Sequence, residues 1–282
     1  MVTAHPTALI DPTAELAEDV IVGPFTTIEP GVRIGAGSHI GSYVTLAAGL
    51  ELGRAVRVFN YACLGTPSQD MKHRGEPSRV SIGDHAVIRE FVTVNRGTRE
   101  GSVTRIGARA LLMAYVHVAH ECFVDERAIL VNAATLGGEV YIGRGAIIGG
   151  LAGIHQFCRI GEFAIVGANS KVTQDIAPFL IADGHPARPF GPNLVGLRRN
   201  GFGEHQIREI RRIYRDLFNR NRTLSENLRR IEELFAGSAY ADAILAFARQ
   251  GTRGLARPRL RRLASADYNE YPLPENTTSN DE

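Results

Sequence analysis

Every sixth residue is aliphatic. The beat runs from Ile10 and Leu16 through Val22, Ile28, Ile34, Ile40, Leu46, Leu52 and Val58 to Leu64. It returns at Ile82, Ile88 and Val94, then continues unbroken from Ile106 through Val118, Leu136 and Ile154 to Val172. Ala, Val, Ser, Thr or Cys usually stands four positions after each of these residues. A period of six fits neither a helix nor a lone strand, so the pattern predicts a solenoid of short strands and repeated corners. Each hexad supplies one aliphatic side chain to the axis, and stacked coils share one continuous core.

The repeat claims most of the 282 residues, with a predicted solenoid over 1–177. Two stretches interrupt it, 66–79 (TPSQDMKHRGEPSR) and 96–105. Insertions on a rigid repeat usually carry function. Pro178 ends the pattern, and the Pro- and Gly-rich stretch 184–193 reads as a connector. Beyond Gly203 the period becomes helical, with Ile207, Ile210, Ile213, Leu217 and Phe218 in one apolar stripe. Thr223 to Glu226 has the form of a capping box opening a second helix, and a third runs from Ala239 to Gln250. The chain therefore divides into a solenoid, a connector with a helical domain over 178–263, and a tail, 264–282, whose composition predicts disorder.

A net charge of +2 argues against non-specific attraction to nucleic acid as a main driver. The arginines are nevertheless concentrated in residues 198–262, a face suited to an acidic partner. The first residues lack the basic and apolar regions of a signal peptide, and no stretch approaches the ~20 apolar residues of a membrane span. A cytoplasmic protein is expected. Cys63, Cys122 and Cys158 have no metal or redox spacing; Cys122 and Cys158 occupy the small-residue slot of the hexad and read as packing residues.

If three hexads make a coil, residues eighteen apart stack about 4.8 Å from each other. His120 then lies in one column with Gly138 and Gln156, and Glu121 lies beneath Glu139. Asn132, Gly150 and Ala168 form a second column; Glu126, Arg144 and Glu162 form a third with alternating charge. A histidine beside a carboxylate, facing a glycine column, can act as a general base with an orienting acid and a nearby backbone donor. A pair of idle surface histidines and a metal site built from His85, His117 and His120 are the alternatives. Glu121 and Glu139 at coil spacing repel, which should raise one pKa or recruit a cation.

The repeat together with HVAHEC (117–122), GGLAGIHQFCRIG (149–161), SQDMKHRGEPSRVSIGD (68–84), FGPNLVGLRRNGF (190–202) and TRGL (252–255) resembles the acyl-[acyl-carrier-protein]–UDP-N-acetylglucosamine O-acyltransferases. The resemblance covers roughly residues 1–257 in order. It implies a left-handed parallel β-helix followed by a small α-helical domain, and a homotrimer with active sites between subunits. It also implies transfer of an acyl chain from acyl-carrier protein to a UDP-sugar, opening lipid A biosynthesis, with no cofactor and no metal.

The resemblance assigns roles residue by residue. His120 matches the general base, Glu121 the acid that orients it, and Gly138 the backbone donor to the oxyanion. Asp70, Lys72, His117, His155, Gln156, Asn193 and Arg199 match substrate-binding positions, and Glu139 stands where a cleft histidine is usual. Asn132, Gly150 and Ala168 match the acyl-chain groove, with Ala168 at its far end. Asn95, Glu139, Val195 and Asn200 depart from the family's pattern. An added carboxylate near the acceptor atom would favour an amine, so N-acylation of a 3-amino sugar nucleotide stands as an alternative. Another hexapeptide-repeat acyltransferase and a non-catalytic scaffold are further alternatives. No GxSxG-type nucleophile motif is present, which favours direct transfer over a covalent acyl-enzyme.

Overall fold

A computed structural model describes residues 1–259. The expected tail, 264–282, lies outside them, as do Arg261 and Arg262. Up to Val172 the described chain is a stack of strands two to four residues long, wound into three parallel sheets. The faces of this triangular prism recur every third strand. The first face runs from Thr3–Ala4 to Ile165–Val166, the second from Leu9–Ile10 to Lys171–Val172, the third from Glu15–Leu16 to Arg159–Ile160. Pairing is at eighteen residues, as in His117↔Thr135 and Val118↔Leu136.

The second residue of most strands is the hexad aliphatic and points inward; Ile40, Leu46, Leu64, Val118, Leu136 and Ile148 are fully buried. The small residue four positions on, such as Ala62, Ala110, Cys122 or Ala134, closes the corner beneath it. Burial of each aliphatic side chain is worth roughly 1.5–3 kcal/mol, so the row of hexads is the main source of stability. Burial also pushes the Cys122 thiol up to about 12 and Cys158 to about 11, as suits inert packing residues.

Corners turn through a residue with positive φ, and most of these are not glycine: Tyr43, Tyr61, His85, Glu121, Glu139 and Phe157 all lie near +60°. Such strain is often a mark of function. Here it recurs around the coil, so it belongs to the coil and not to one site. On the first edge, between the first and second faces, these positions carry Phe25, Tyr43, Tyr61, Phe91 and Tyr115. Their rings stack at 4.8–5.2 Å.

Across the interruptions the pairing distance lengthens to thirty residues at Leu64↔Val94 and to twenty-four at Val94↔Val118. The insertions therefore add twelve and six residues, whole numbers of hexads, and the beat keeps its phase while the coil does not grow. Both leave from the second face and rejoin at the third, so both sit on the second edge, the one that carries His120.

The connector is more ordered than its composition suggests. Leu180–Gly184 adds one more parallel strand to the first face, pairing Ile181 with Ile165. Ala187–Pro192 returns antiparallel to it through Gly184, whose φ is +103°. A short helix unforeseen in the sequence follows, α1 (Leu194–Arg199), capped by Asn193. It carries a single buried residue, Leu197, too little to leave an amphipathic period. Then come α2 (Glu204–Leu217), α3 (Leu224–Leu234) and α4 (Ala239–Gln250). Thr223 and Glu226 make the anticipated capping box of α3. The helices dock on the solenoid through Arg159, whose guanidinium lies over Tyr141 at 5.2 Å and Phe247 at 4.4 Å. No described helix is long and apolar enough to cross a membrane.

Candidate active site

The short strand His117–Val118 buries Val118 and turns His117 outward on the second face. The corner Ala119–Cys122 then projects His120 and Glu121 along the second edge. Coil register places Gly138 directly above the imidazole, where an added Cβ would overlap the ring, so only glycine fits. The Gly138 amide makes no backbone hydrogen bond among the described residues.

His120 is 8% exposed. Its Nδ1 lies 2.5 Å from Glu121 Oε2, which leaves Nε2 facing outward. Asp70 Oδ2, brought over by the first insertion, stands 3.7 Å from Nε2, beyond hydrogen-bond range. An oxygen lying to one side of the pair would reach both atoms at hydrogen-bond distance. Burial opposes ionisation of Glu121, but the opposition is outweighed. The Arg99 and Thr98 amides donate to Oε1 at 3.0 and 2.7 Å, and His120 and Ser102 add to them, holding the carboxyl below its ordinary range. Gly97 permits that approach, because a side chain there would overlap Ser102 Oγ and crowd Glu121 Oε1.

The expected repulsion between Glu121 and Glu139 is met by a cation from the second insertion. Arg99 grips Glu139 through Nη1 at 3.2 Å and Nη2 at 3.5 Å, with its Nε 3.8 Å from Glu121 Oε1. Residue-by-residue reading did not single out Arg99, since it lies in an aperiodic loop. The clash of two carboxylates was the one signal that something positive had to arrive. Asn95, where the family pattern has histidine, is buried and donates to Thr66 Oγ1 and Pro67 O, both at 2.9 Å. It ties the roots of the two insertions together.

His117 is half-buried with Nδ1 2.7 Å from Thr93 Oγ1, and burial pushes its imidazole below the ordinary value. His155 and Gln156 follow one coil above Gly138, and the Gln156 carbonyl accepts from His155 and, at 3.0 Å, from Arg253 Nε. Arg253 belongs to the TRGL stretch, whose Leu255 bridges to Asp175 and so extends the third face past Ile160, which pairs with Ile176. Lys72 is exposed beside Asp70, which accepts from its amide.

Other expected residues lie elsewhere on the prism. Asn132, Gly150 and Ala168 stack on the first edge, where the Asn132 and Gly150 carbonyls accept from Leu151 and Asn169. Asn193 sits at the third edge, with its side chain held by backbone groups on both sides. Nδ2 donates to Phe163 O at 2.8 Å and Oδ1 accepts from Gly196 N, so the side chain caps α1. Arg199, at the end of α1, is exposed. Asn200 caps α1 and accepts from Arg127; nothing in the structure explains Val195. In the expected charge ladder only Arg144 and Glu162 pair, at 3.1 Å. His85 is a third-edge residue, so within one chain it lies on a different edge from His120.

Prism and site together define a hexapeptide-repeat acyltransferase: residues 13–48 match the model described as bacterial transferase hexapeptide (six repeats). Residues 175–256 match the one described as UDP N-acetylglucosamine O-acyltransferase, domain 2. Two curated acyl-[acyl-carrier-protein]–UDP-N-acetylglucosamine O-acyltransferases are close in sequence. That of Alkalilimnicola ehrlichii is 51% identical and that of Thiobacillus denitrificans 49%, each over 91% of this chain and the whole of the relative. The solved UDP-N-acetylglucosamine O-acyltransferase of Moraxella catarrhalis superposes with a TM-score of 0.87 at 34% identity, over 90% of this chain and 99% of that one. The chain belongs to the acyl-[acyl-carrier-protein]–UDP-N-acetylglucosamine O-acyltransferase family. It is an acyltransferase with that family's left-handed β-helix.

Proposed function

We propose that this protein transfers a 3-hydroxyacyl chain from acyl-carrier protein to the glucosamine 3-hydroxyl of UDP-N-acetylglucosamine, the opening step of lipid A biosynthesis. The observation that carries the reading is His120, its Nδ1 held by Glu121 and its ring packed under Gly138. Nε2 takes the proton as the sugar oxygen attacks the thioester carbonyl. The new C–O bond forms, the oxyanion is met by the Gly138 amide, and collapse expels the carrier thiolate, which takes the proton back from His120. Transfer is direct. Asp70, beside Nε2, accepts a hydrogen bond from the acceptor sugar and orients it.

The site is incomplete in one chain. His120 lies on the second edge, the groove column on the first, and Arg199 beside the third, which supports a homotrimer in which neighbouring copies lend the groove and the nucleotide contact. Arg199 suits a diphosphate because guanidinium binds it bidentately. The carrier protein is acidic by this reading, and it meets the exposed row Arg208, Arg211 and Arg215 on α2. Several other arginines of the helical domain are already engaged, Arg198 with Glu204, Arg222 and Arg230 with Asp216, and Arg249 with Glu232. Glu139 is neutralised by Arg99 and so presents no free carboxylate to an amine, which supports the hydroxyl acceptor.

The test is mass spectrometry of products from defined 3-hydroxyacyl-carrier proteins, with UDP-N-acetylglucosamine and its 3-amino analogue supplied in parallel. An ester on the hydroxyl sugar is expected. An amide on the amino sugar alone would replace the acceptor, and no product from either would sink the reading.

A further inference from the structure

We propose that Arg99 is a positioning residue for the general base, setting the charge around His120 through Glu139 and Glu121. This rests on the acyltransfer reading. The groups facing His120 are Glu121 on its own corner, Asp70 from the first insertion, Glu139 on the coil above, Arg99 from the second insertion, His117 on the strand before and the buried Cys122 behind. Cys122 stays a neutral thiol, its Sγ 3.1 Å from Gly137 O. That leaves three carboxylates and one arginine around a single imidazole.

A general base must be unprotonated when substrate arrives, yet every nearby carboxylate stabilises the imidazolium. Arg99 offsets one of the three. Its fork is fixed on Glu139 and its Nε faces Glu121. The second insertion is also pinned by the Thr98 and Arg99 amides on Glu121, so the guanidinium is delivered to one place. Glu139 and Arg99 thus work as a pair: the glutamate holds the arginine, and the arginine keeps the glutamate from adding its charge to the base. Either residue alone would unbalance the site. The side chain of Arg99 is 62% exposed, so the effect is partly screened and depends on salt.

Two readouts test this in the full-length protein, the acid limb of kcat/KM against pH and the pH at which the His120 ring protonates in the resting protein, followed by ¹³C NMR. Arg99→Gln should move both upward by about half a pH unit at low ionic strength. Glu139→Gln should move them down by about as much, and the double substitution should return them close to the starting values. Arg99→Lys, which keeps the charge but not the fork, should hold the limb in place. Half-molar salt should shrink each shift, as screening requires. A lower kcat in Arg99→Gln with both readouts unmoved would make Arg99 merely a loop anchor and overturn the proposal. The NMR arm needs no turnover, so inactivity of the unsubstituted protein would sink the acyltransfer reading while leaving this test intact.

Discussion

The first and second edges of the prism are built from the same corner, with the same left-handed residue at the same place, and they do opposite things. Along the first edge that residue is Phe25, Tyr43, Tyr61, Phe91 and Tyr115, and coil spacing suits stacked rings. Like sits on like and the stack is favourable without help. Along the second edge the equivalent residues are Glu121 and Glu139, where like on like is repulsive. There an insertion brings Arg99 and two backbone amides against the carboxylates. A repeat can thus stack identical side chains cheaply wherever nothing else is asked of them. Charge is gathered where the repeat is broken. The ring column also ends at Tyr115; Ala133, Leu151 and Asn169 continue the edge, beside the column of Asn132, Gly150 and Ala168. Above Tyr115 the first edge thus gives up its aromatic stack.

The contrast is tested most severely at the second edge. His120→Ala should leave the fold and assembly intact while kcat falls by roughly 10²–10⁴, the usual contribution of a general base. Size-exclusion chromatography with steady-state assays checks this, and a near-normal kcat would reduce both edges to scaffolding. Next comes the upper part of the first edge. Ala168→Met should shift donor preference toward chains several carbons shorter, since each buried methylene is worth about 0.8 kcal/mol. Competition between acyl-carrier proteins of different chain length gives the ranking, and an unchanged ranking removes Ala168 from the end of the groove.

A smaller effect concerns how Glu121 is held. Its carboxyl is depressed, so its stabilising contribution is present above the ordinary value of 4.5 and is lost as pH falls through the lower folded value. Melting curves of Glu121→Gln should lie a few degrees below those of the unsubstituted protein at neutral pH. The gap should close at pH values under about 4, and a pH-independent gap would mean that the ionised form is not what anchors the second insertion. The smallest effect belongs to the ring column. Tyr43→Ala removes two stacked contacts far from the site and should cost about 1–2 kcal/mol of stability with turnover unchanged. Loss of activity there would show that the two edges are not independent.

The coil was legible because its cause is local and repeated. Leu136 has to be apolar for the same reason as Val118, and a requirement restated every six residues leaves a visible beat. The stacking of Gly138 over His120 followed from the same arithmetic. The hairpin Leu180–Pro192 and α1 escaped because each is a single event; their residues face an existing sheet or edge and carry no period of their own. The capping role of Asn193 escaped for a related reason: it depends on where Phe163 O and Gly196 N lie, which no period records.

From sequence alone, then, came the solenoid, its core, the columns of stacked residues and the pairing of His120 with Glu121. These depend on spacing along the chain, and spacing is written in the residues. Only the tertiary structure decided that both insertions leave the same edge, that Arg99 closes on Glu139 across forty positions of chain, and that Asp70 stands before His120 Nε2 while Arg199 does not. Insertions of twelve and six residues leave the beat in phase, so the sequence carries no mark of how those loops fold back. Their placement is settled by contacts between segments that share no period, and such contacts exist only once the coil is wound.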